Sequence, residues 1–408
     1  MIGCKSREKN PKRIWYNFVM KNWILFLVLF LIQGVLASEL QDVGIAKYAV
    51  LEVLDDNTPL RIKDNENSAR LTHLFKNAVL FADKQNENYF RVELKENDYA
   101  WINKKFVEVQ AIIPEKRFDN VDKIVFKNEK NKFQARIETL SQSAFTIKEE
   151  GNNLNFTLFD NRFDPIETKV ANKNNRFVLD EQINNELNLK FLNNKPLFGY
   201  DIEKIEQGYL LSIKKAPTIN KIKPLKGITI TLDPGHGGVE KGACAFGLEE
   251  KTINLQITKA LRRELKKRGA TVYLTRKKDK QVDLYDRIAF AKEKNSDILL
   301  SIHQNSLANP ADIDKKHGVG VYYYHPQAKF LAQKIQENLL VATNFKDDKV
   351  NYASFALTRP TSQISALIEC GYIIRKEEAQ LLANKKFQRK IAKAITKGCE
   401  EYLRESFN

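Results

Sequence analysis

Apolar and polar positions change their period twice along this 408-residue chain. Between Val43 and Val109, short apolar runs are set between polar turns: YAVLEVL, LRI at 60–62, AVLF at 78–81, YFRVEL at 89–94 and YAWINKKFVEV at 99–109. Regularly spaced short strands of this kind predict a small barrel. From 113 to 215 the alternation lengthens. Phe133, Ala135 and Ile137, then Leu154, Phe156 and Leu158, then Tyr209, Leu211 and Ile213 each alternate with polar partners, around turns such as Glu-Gly-Asn-Asn at 150–153. That period of two predicts an antiparallel sandwich with one face of each sheet in water. Residues 216–226, APTINKIKPLK, hold two prolines and no period, and read as a linker.

Beyond residue 227 strands alternate with helices. Ile253, Ile257, Ala260, Leu261 and Leu265 recur at helical spacing, with Thr252 as N-cap and Gly269 as the stop. Strands at 270–275, 297–303, 318–324 and 365–371 alternate with helices near 285–294, 327–341 and 377–403. The pattern predicts an α/β domain with a mostly parallel sheet and helices on both faces, preceded by two small all-β domains.

The amino terminus changes the compartment. Trp23 to Ala37, WILFLVLFLIQGVLA, is an apolar run of fifteen behind a basic segment, short for a membrane span and suited to a secretory signal with Val35 and Ala37 at the cleavage site. Met20 followed by Lys21 would by itself open a compact signal, and an uncleaved anchor is the alternative. The expectation is an exported, periplasmic protein that meets membrane only through an uncleaved signal. Removal of residues 1–37 takes away six basic and one acidic residue and lowers the net charge from +16 to +11. A basic exported surface suits an anionic wall or envelope and excludes nucleic acid as a partner. Only Cys244, Cys370 and Cys399 follow the signal, so no disulfide framework is implied.

The chemistry gathers where strands end. Residues 228–238, ITITLDPGHGG, run as a buried strand into a turn of Pro234, Gly235, Gly237 and Gly238 that leaves space around His236. A lone histidine there is more often structural than functional, and only its companions change that reading. Glu250 lies fourteen positions on, and His303 ends a second buried strand, DILLSIH. Two imidazoles and a carboxylate from three element ends match an open zinc site with a fourth position for water. Glu369 sits between Ile368 and Cys370 in an apolar strand, where a carboxylate needs a partner such as a metal or its water. Glu249 rivals Glu250. Cys244 near the metal loop, and His317 and His325 flanking the 318–324 strand, are weaker candidates, while His73 reads as a surface residue and Trp101 as core. Asp233 is a candidate to orient an imidazole, although Asp before Pro-Gly is also plain turn chemistry.

DPGHGG, EEKTINL at 249–255, VYLTR at 272–276, the Arg287 helix, SIHQN at 301–305 and SALIECGYI at 365–373 resemble, in order, the zinc-dependent N-acetylmuramoyl-L-alanine amidases of bacterial cell wall. The likeness covers about residues 227–405. It implies that His236, Glu250 and His303 bind one Zn2+, with Glu250 chosen because the ligand precedes a lysine, here Lys251. It further implies that Glu369 is the catalytic acid/base, with Asp233, Arg287 and Asn305 as supporting or substrate residues. Ile374 and Arg375 depart from the small polar residue and Asn usual in relatives. The expected function is hydrolysis of the amide between N-acetylmuramic acid and the L-alanine of the stem peptide. A non-catalytic peptidoglycan-binding scaffold and a zinc carboxypeptidase are the alternatives. The barrel resembles SH3-like wall-binding modules and the sandwich resembles the AMIN-like targeting domain, which docks on wall or envelope. The expected layout is a signal at 1–37, a barrel at 38–112, a sandwich at 113–215, a linker at 216–226 and an amidase domain at 227–408. Peptidoglycan is the partner expected of it, with envelope or activator proteins reached through the β modules. Many relatives carry a long helical insertion that blocks the zinc. Here Tyr322–Tyr324 run almost straight into the next helix, which leaves no room for one.

Overall fold

The computed structural model describes residues 47–164, 168–171, 176–179, 184–307 and 314–407. The expected signal at 1–37, with its second start at Met20, lies outside them.

Seven strands come first: β1 Tyr48–Val53, β2 Thr58–Arg61, β3 Arg70–Leu74, β4 Val79–Gln85, β5 Tyr89–Lys95, β6 Asp98–Asn103 and β7 Val107–Ile113. They form one antiparallel sheet in the order β3-β2-β6-β5-β4-β1-β7. Alternate residues Ala49, Leu51 and Val53 of β1 are fully buried, as the period of two requires. Ala100 and Ile102 of β6 also point inward, which leaves Trp101 half-buried on the opposite face rather than in the core. His73 is half-buried as well, against the surface position expected of it.

Nine strands follow: β8 Asp119–Asn128, β9 Lys132–Thr139, β10 Phe145–Glu150, β11 Asn153–Phe163, β12 Lys169–Ala171, β13 Phe177–Leu179, β14 Asn184–Phe191, β15 Tyr200–Lys204 and β16 Tyr209–Lys214. Phe156, Leu158, Leu189 and Phe191 from one part pack with Ile124, Phe126, Ile137 and Leu211 from another into a single core. The pairing is not purely antiparallel, because β8 runs parallel to both β11 and β12. Alternation of apolar positions records which side chains face inward and carries no information on strand direction.

Residues 217–226 form no regular element, yet Ile219 and Leu225 are buried in the core of the next domain. This stretch is anchored packing and not a free linker. Phe198 sits 5.1 Å from Phe407 ring to ring, and Lys214 reaches Asp297 at 2.6 Å, so the sandwich leans directly on that domain.

The last domain contains β17 Thr229–Pro234, a short ribbon of β18 Cys244–Ala245 and β19 Leu248–Glu249, α1 Glu250–Lys267, β20 Thr271–Leu274, α2 Leu284–Glu293 and β21 Ile298–Asn305. After these come β22 Val319–Tyr323, α3 Pro326–Thr343, β23 Asp347–Tyr352, β24 Ile364–Tyr372, α4 Lys376–Leu382 and α5 Lys385–Phe407. The sheet order is β20-β17-β21-β24-β22-β23. Strands β20, β17, β21 and β24 run parallel, whereas β22 lies antiparallel to β24 and takes β23 with it. The expectation of a mostly parallel sheet holds for β20, β17, β21 and β24 and gives way at one edge, where β22 and β23 run reversed. Helix α1 starts at Glu250, so Thr252 lies inside it and is not the N-cap. The single helix expected over 377–403 is two helices, because the Asn384 side chain accepts from the Lys386 and Phe387 amides and starts a new one.

Side chains of β21 alternate between two layers. Ile298, Leu300 and Ile302 enter the large core under α1, α3 and α5, while Leu299 packs with Ala291 of α2 on the other face. His303 shares the Leu299 face by the same period.

Candidate metal centre

Three strand ends and one helix start meet at the carboxyl edge of β17, β21 and β24. His236 follows β17 with φ 60°, a left-handed backbone that a histidine holds at a cost of about 1–3 kcal/mol. The surroundings enforce it. Arg276 donates to the carbonyls of Pro234, Gly235 and Lys251, and Arg287 donates to Pro234 and His236, so two buried guanidinium groups pin the turn. Gly235 has no alternative, since a Cβ there would lie 2.2 Å from His303 Cε1. At Gly242 a Cβ would lie 2.4 Å from Glu250 Oε2.

Glu250, 4 % exposed, opens α1 and turns one oxygen toward each histidine. His236 Nε2 lies 3.1 Å from Oε2, and His303 Nδ1 lies 3.0 Å from Oε1. One ligand atom from each residue falls within 4.8 Å of the others, the only such group of three among the described residues. Burial opposes the charge on Glu250, but hydrogen bonds from His236 and His303 outweigh it and hold the carboxyl far below its usual range. The same bond to Glu250 raises His236.

Glu369 of β24 is the register partner of His303 across the parallel ladder, so the two side chains stand next to each other on one face. Its Oε2 is buried and has no hydrogen-bond partner. Burial, then Glu250, then Asp348, push its carboxyl well above the ordinary value. Buried carboxylate oxygens without partners are costly and mark a place where something else binds.

The remaining predicted residues divide clearly. Glu249 pairs with Lys241 and Lys251 and faces away from the histidines, which leaves Glu250 alone at the centre. Asp233 does not touch an imidazole. It accepts from Arg287, Thr275 and Ser301, and so braces the turn through Arg287 instead of orienting a ring. Arg287, with a side chain 2 % exposed, is likewise a brace and not a substrate contact. Asn305 ends β21 beside Tyr322, to which it is hydrogen-bonded. Cys244 is exposed and outside the group of three, and Cys370 is buried in the core. His317 is paired with Glu378, and His325 with Glu149 and the Arg359 carbonyl.

Two residues escaped the sequence reading. Asn254 Nδ2 donates to Glu250 Oε1 at 3.1 Å, and the Gln304 amide donates to the same oxygen while its side chain holds Asn254. Asn254 was findable in principle, because it lies four residues after Glu250 and so on the same helix face. Gln304 was harder to find, since its direct contact with Glu250 is a backbone N–H and its side chain acts only through Asn254.

The donors fit a divalent ion. One ligand atom from each of two imidazoles and a carboxylate lies within 4.8 Å of the others, and the unpartnered Glu369 oxygen belongs to the residue paired with His303 in the sheet. The carboxyl ends of the strands of an α/β sheet are where ligands of this fold class bind, and there these three residues could hold a metal ion. Residues 230–401 match the N-acetylmuramoyl-L-alanine amidase family. The amidase LytC of Bacillus subtilis (strain 168) is 34% identical over 190 residues, which is 45% of this chain and 38% of LytC. The germination-specific N-acetylmuramoyl-L-alanine amidase of the same organism is 31% identical over 204 residues, 45% of this chain and 82% of its own length. Among solved structures, the N-acetylmuramoyl-L-alanine amidase AmiC2 of Nostoc punctiforme overlaps 46% of this chain and 99% of its own, with 33% identity and a TM-score of 0.41. The chain belongs to the N-acetylmuramoyl-L-alanine amidase family.

Proposed function

We propose that the chain hydrolyses the amide joining N-acetylmuramic acid to the L-alanine of the stem peptide, with one zinc ion held by His236, Glu250 and His303. The observation that carries this reading is the pairing of a three-ligand group with the unpartnered Oε2 of Glu369. A zinc ion in that position supplies Lewis acidity, polarising a carbonyl and bringing a water toward a pKa of about 7. The chain's own residues do the rest. Asn254 and the Gln304 amide fix Glu250 Oε1, and the braced turn fixes His236, in the places from which they would hold the ion. Glu369 takes the proton of the attacking water on Oε2 and returns it to the nitrogen of the departing L-alanine. A carboxyl raised above its usual range suits both transfers, because its affinity for the proton lies closer to that of the groups it serves.

Control follows from access. His236 keeps 31% of its side-chain surface exposed, and β22 passes to α3 through only Tyr324 and His325. Among the described residues no insertion lies there to plug the site. In this reading the enzyme is exported to the periplasm and governed by localisation, with an SH3-like module at 38–112 and an AMIN-like module at 113–215 docking on wall or envelope proteins.

Mass spectrometry of purified wall digested by the chain tests the reaction. Free stem peptides beginning at L-alanine support the amidase. Loss of a terminal residue instead would assign a carboxypeptidase, and unchanged wall would assign a binding scaffold.

A further inference from the structure

Helices α1 and α5 lie side by side on one face of the catalytic sheet, and two contacts fix their register. Gln388 donates to Gln256 at 2.7 Å and Arg268 donates to Glu400 at 2.6 Å, and both pairs are 132 residues apart. Equal separations mean that the helices run parallel and keep step for about three turns. Ile253, Ile257 and Leu261 of α1 and Ile391 and Ile395 of α5 turn into the core. The opposite side of each helix faces water. There Lys259, Arg263 and Lys266 of α1, and Lys386, Lys390 and Lys393 of α5, are exposed and follow the same spacing of four then three. Each set forms one stripe, and the two stripes lie next to each other.

Other exposed lysines of the molecule have carboxylates beside them: Lys105 has Glu66, Lys241 has Glu249 and Lys292 has Asp201. Toward the far end of the two stripes Arg268 and Lys397 are paired in the same way, with Glu400 and Glu401. Among the described residues none of the six stripe cations has an ion-pair partner. They also repel one another, since Lys259 with Arg263 and Lys386 with Lys390 place like charges four apart and weaken their helices slightly. Packing does not require them, because each is exposed. Among the described residues no large apolar side chain is exposed on either helix, so the face can rest on a charged surface but cannot insert into hydrocarbon.

Charge complementarity calls for an anionic partner, and the shape of the face chooses among them. A linear polyanion tracks a groove, whereas these stripes stand on the outer sides of two neighbouring helices and together make a broad patch. We propose that the α1–α5 face is a docking surface for anionic phospholipid headgroups, which lie in a plane and move sideways to meet each cation. Glu250 opens α1 at the metal centre, and both helices lead away from it, so the crevice lies at the end of the docked face and stays uncovered. Docking would hold the catalytic domain beside a membrane with its site opening along the surface. The inference goes beyond the amidase reading and does not depend on it.

Vesicle sedimentation tests the proposal. The full chain is mixed with vesicles of phosphatidylcholine alone, or of phosphatidylcholine and phosphatidylglycerol in equal parts, and compared with a chain carrying Lys259→Glu, Arg263→Glu, Lys390→Glu and Lys393→Glu together. All four positions are exposed, so circular dichroism should show the fold retained. Binding that requires phosphatidylglycerol, falls at high salt and is weakened at least about 10-fold by the four substitutions supports the proposal. The apolar run and basic segment before residue 38 are the same in both chains, so the difference between them reports the face alone. A milder set, Lys386→Gln with Lys390→Gln and Lys393→Gln, removes charge without reversing it and should weaken binding at least about 5-fold, which keeps the test decisive if the reversed chain fails to fold. Equal binding to both kinds of vesicle, or anionic binding that neither set reduces, overturns the proposal. Binding of soluble polyglutamate in place of vesicles would assign the face to a linear polyanion and overturns it as well. Failure of the amidase reading would appear separately, as absence of free stem peptides from treated wall, and would leave the vesicle result unaltered.

Discussion

Glu149 and Glu250 both carry buried side chains that face histidine, and they serve opposite ends. Glu149, at the seam between the sandwich and the catalytic domain, accepts from the Gln327 amide at 2.6 Å and the Tyr200 hydroxyl at 3.0 Å, with His325 Nδ1 at 3.4 Å. The other nitrogen of His325 donates to the Arg359 carbonyl. Every donor there is used, and the result is a joint. Glu250 is equally buried, but its two oxygens are shared between two imidazoles that remain open to solvent, and Glu369 Oε2 stands beside them with no partner. Histidine next to glutamate does not make a metal site. It needs ligand atoms that converge beside a polar atom left without a partner, as at Glu369.

That contrast can be broken, most severely at the centre itself. Glu250→Ala should reduce zinc from one per chain to none and activity to background, read by metal analysis and by peptide release from wall. Glu369→Gln should cost about 10²- to 10⁴-fold in turnover while zinc stays at one per chain, because it removes proton transfer and not ligation. Asn254→Ala withdraws a support from Glu250 Oε1 and should weaken zinc about 10- to 100-fold in competition with a chelator. Glu149→Gln tests the seam. It should lower unfolding stability by about 1–3 kcal/mol in denaturant and leave hydrolysis of a small muropeptide near its original rate.

A further effect concerns pH. His73 has its folded-state pKa depressed from 6.5 to about 4, chiefly by burial and then by Arg70. A depressed group gives stability that is present above pH 6.5 and lost as pH falls toward 4, because only the unfolded chain binds the proton in that window. Stability of the full chain should therefore decline between those values by up to about 1.4 kcal/mol per pH unit, and His73→Gln should flatten the slope. An unaltered slope would remove His73 from the account.

Much of the catalytic half was legible in the chain because its signals are local. A β-branched run ending in Pro-Gly-His-Gly-Gly announces a strand end with open space, and Ile253, Ile257 and Leu261 announce the helix that Glu250 begins. What failed were properties that apolar period does not encode. Strand direction is one, hence the reversal of β22 and β23 and the parallel neighbours of β8. Long-range hydrogen bonding is another. Asp233 looked like a partner for imidazole and serves Arg287, while Gln304 reaches Glu250 through a backbone amide that any residue would possess. Packing of irregular chain is a third, and it turned an apparent linker into an anchor through Ile219 and Leu225.

Anomalous diffraction at the zinc absorption edge, from crystals of the full chain grown with zinc, addresses the central claim directly. A single peak bounded by His236 Nε2, His303 Nδ1 and a Glu250 oxygen, with Glu369 on its open side, is the predicted result. A peak at His317 or His325, or none under conditions where wall is cleaved, would contradict it.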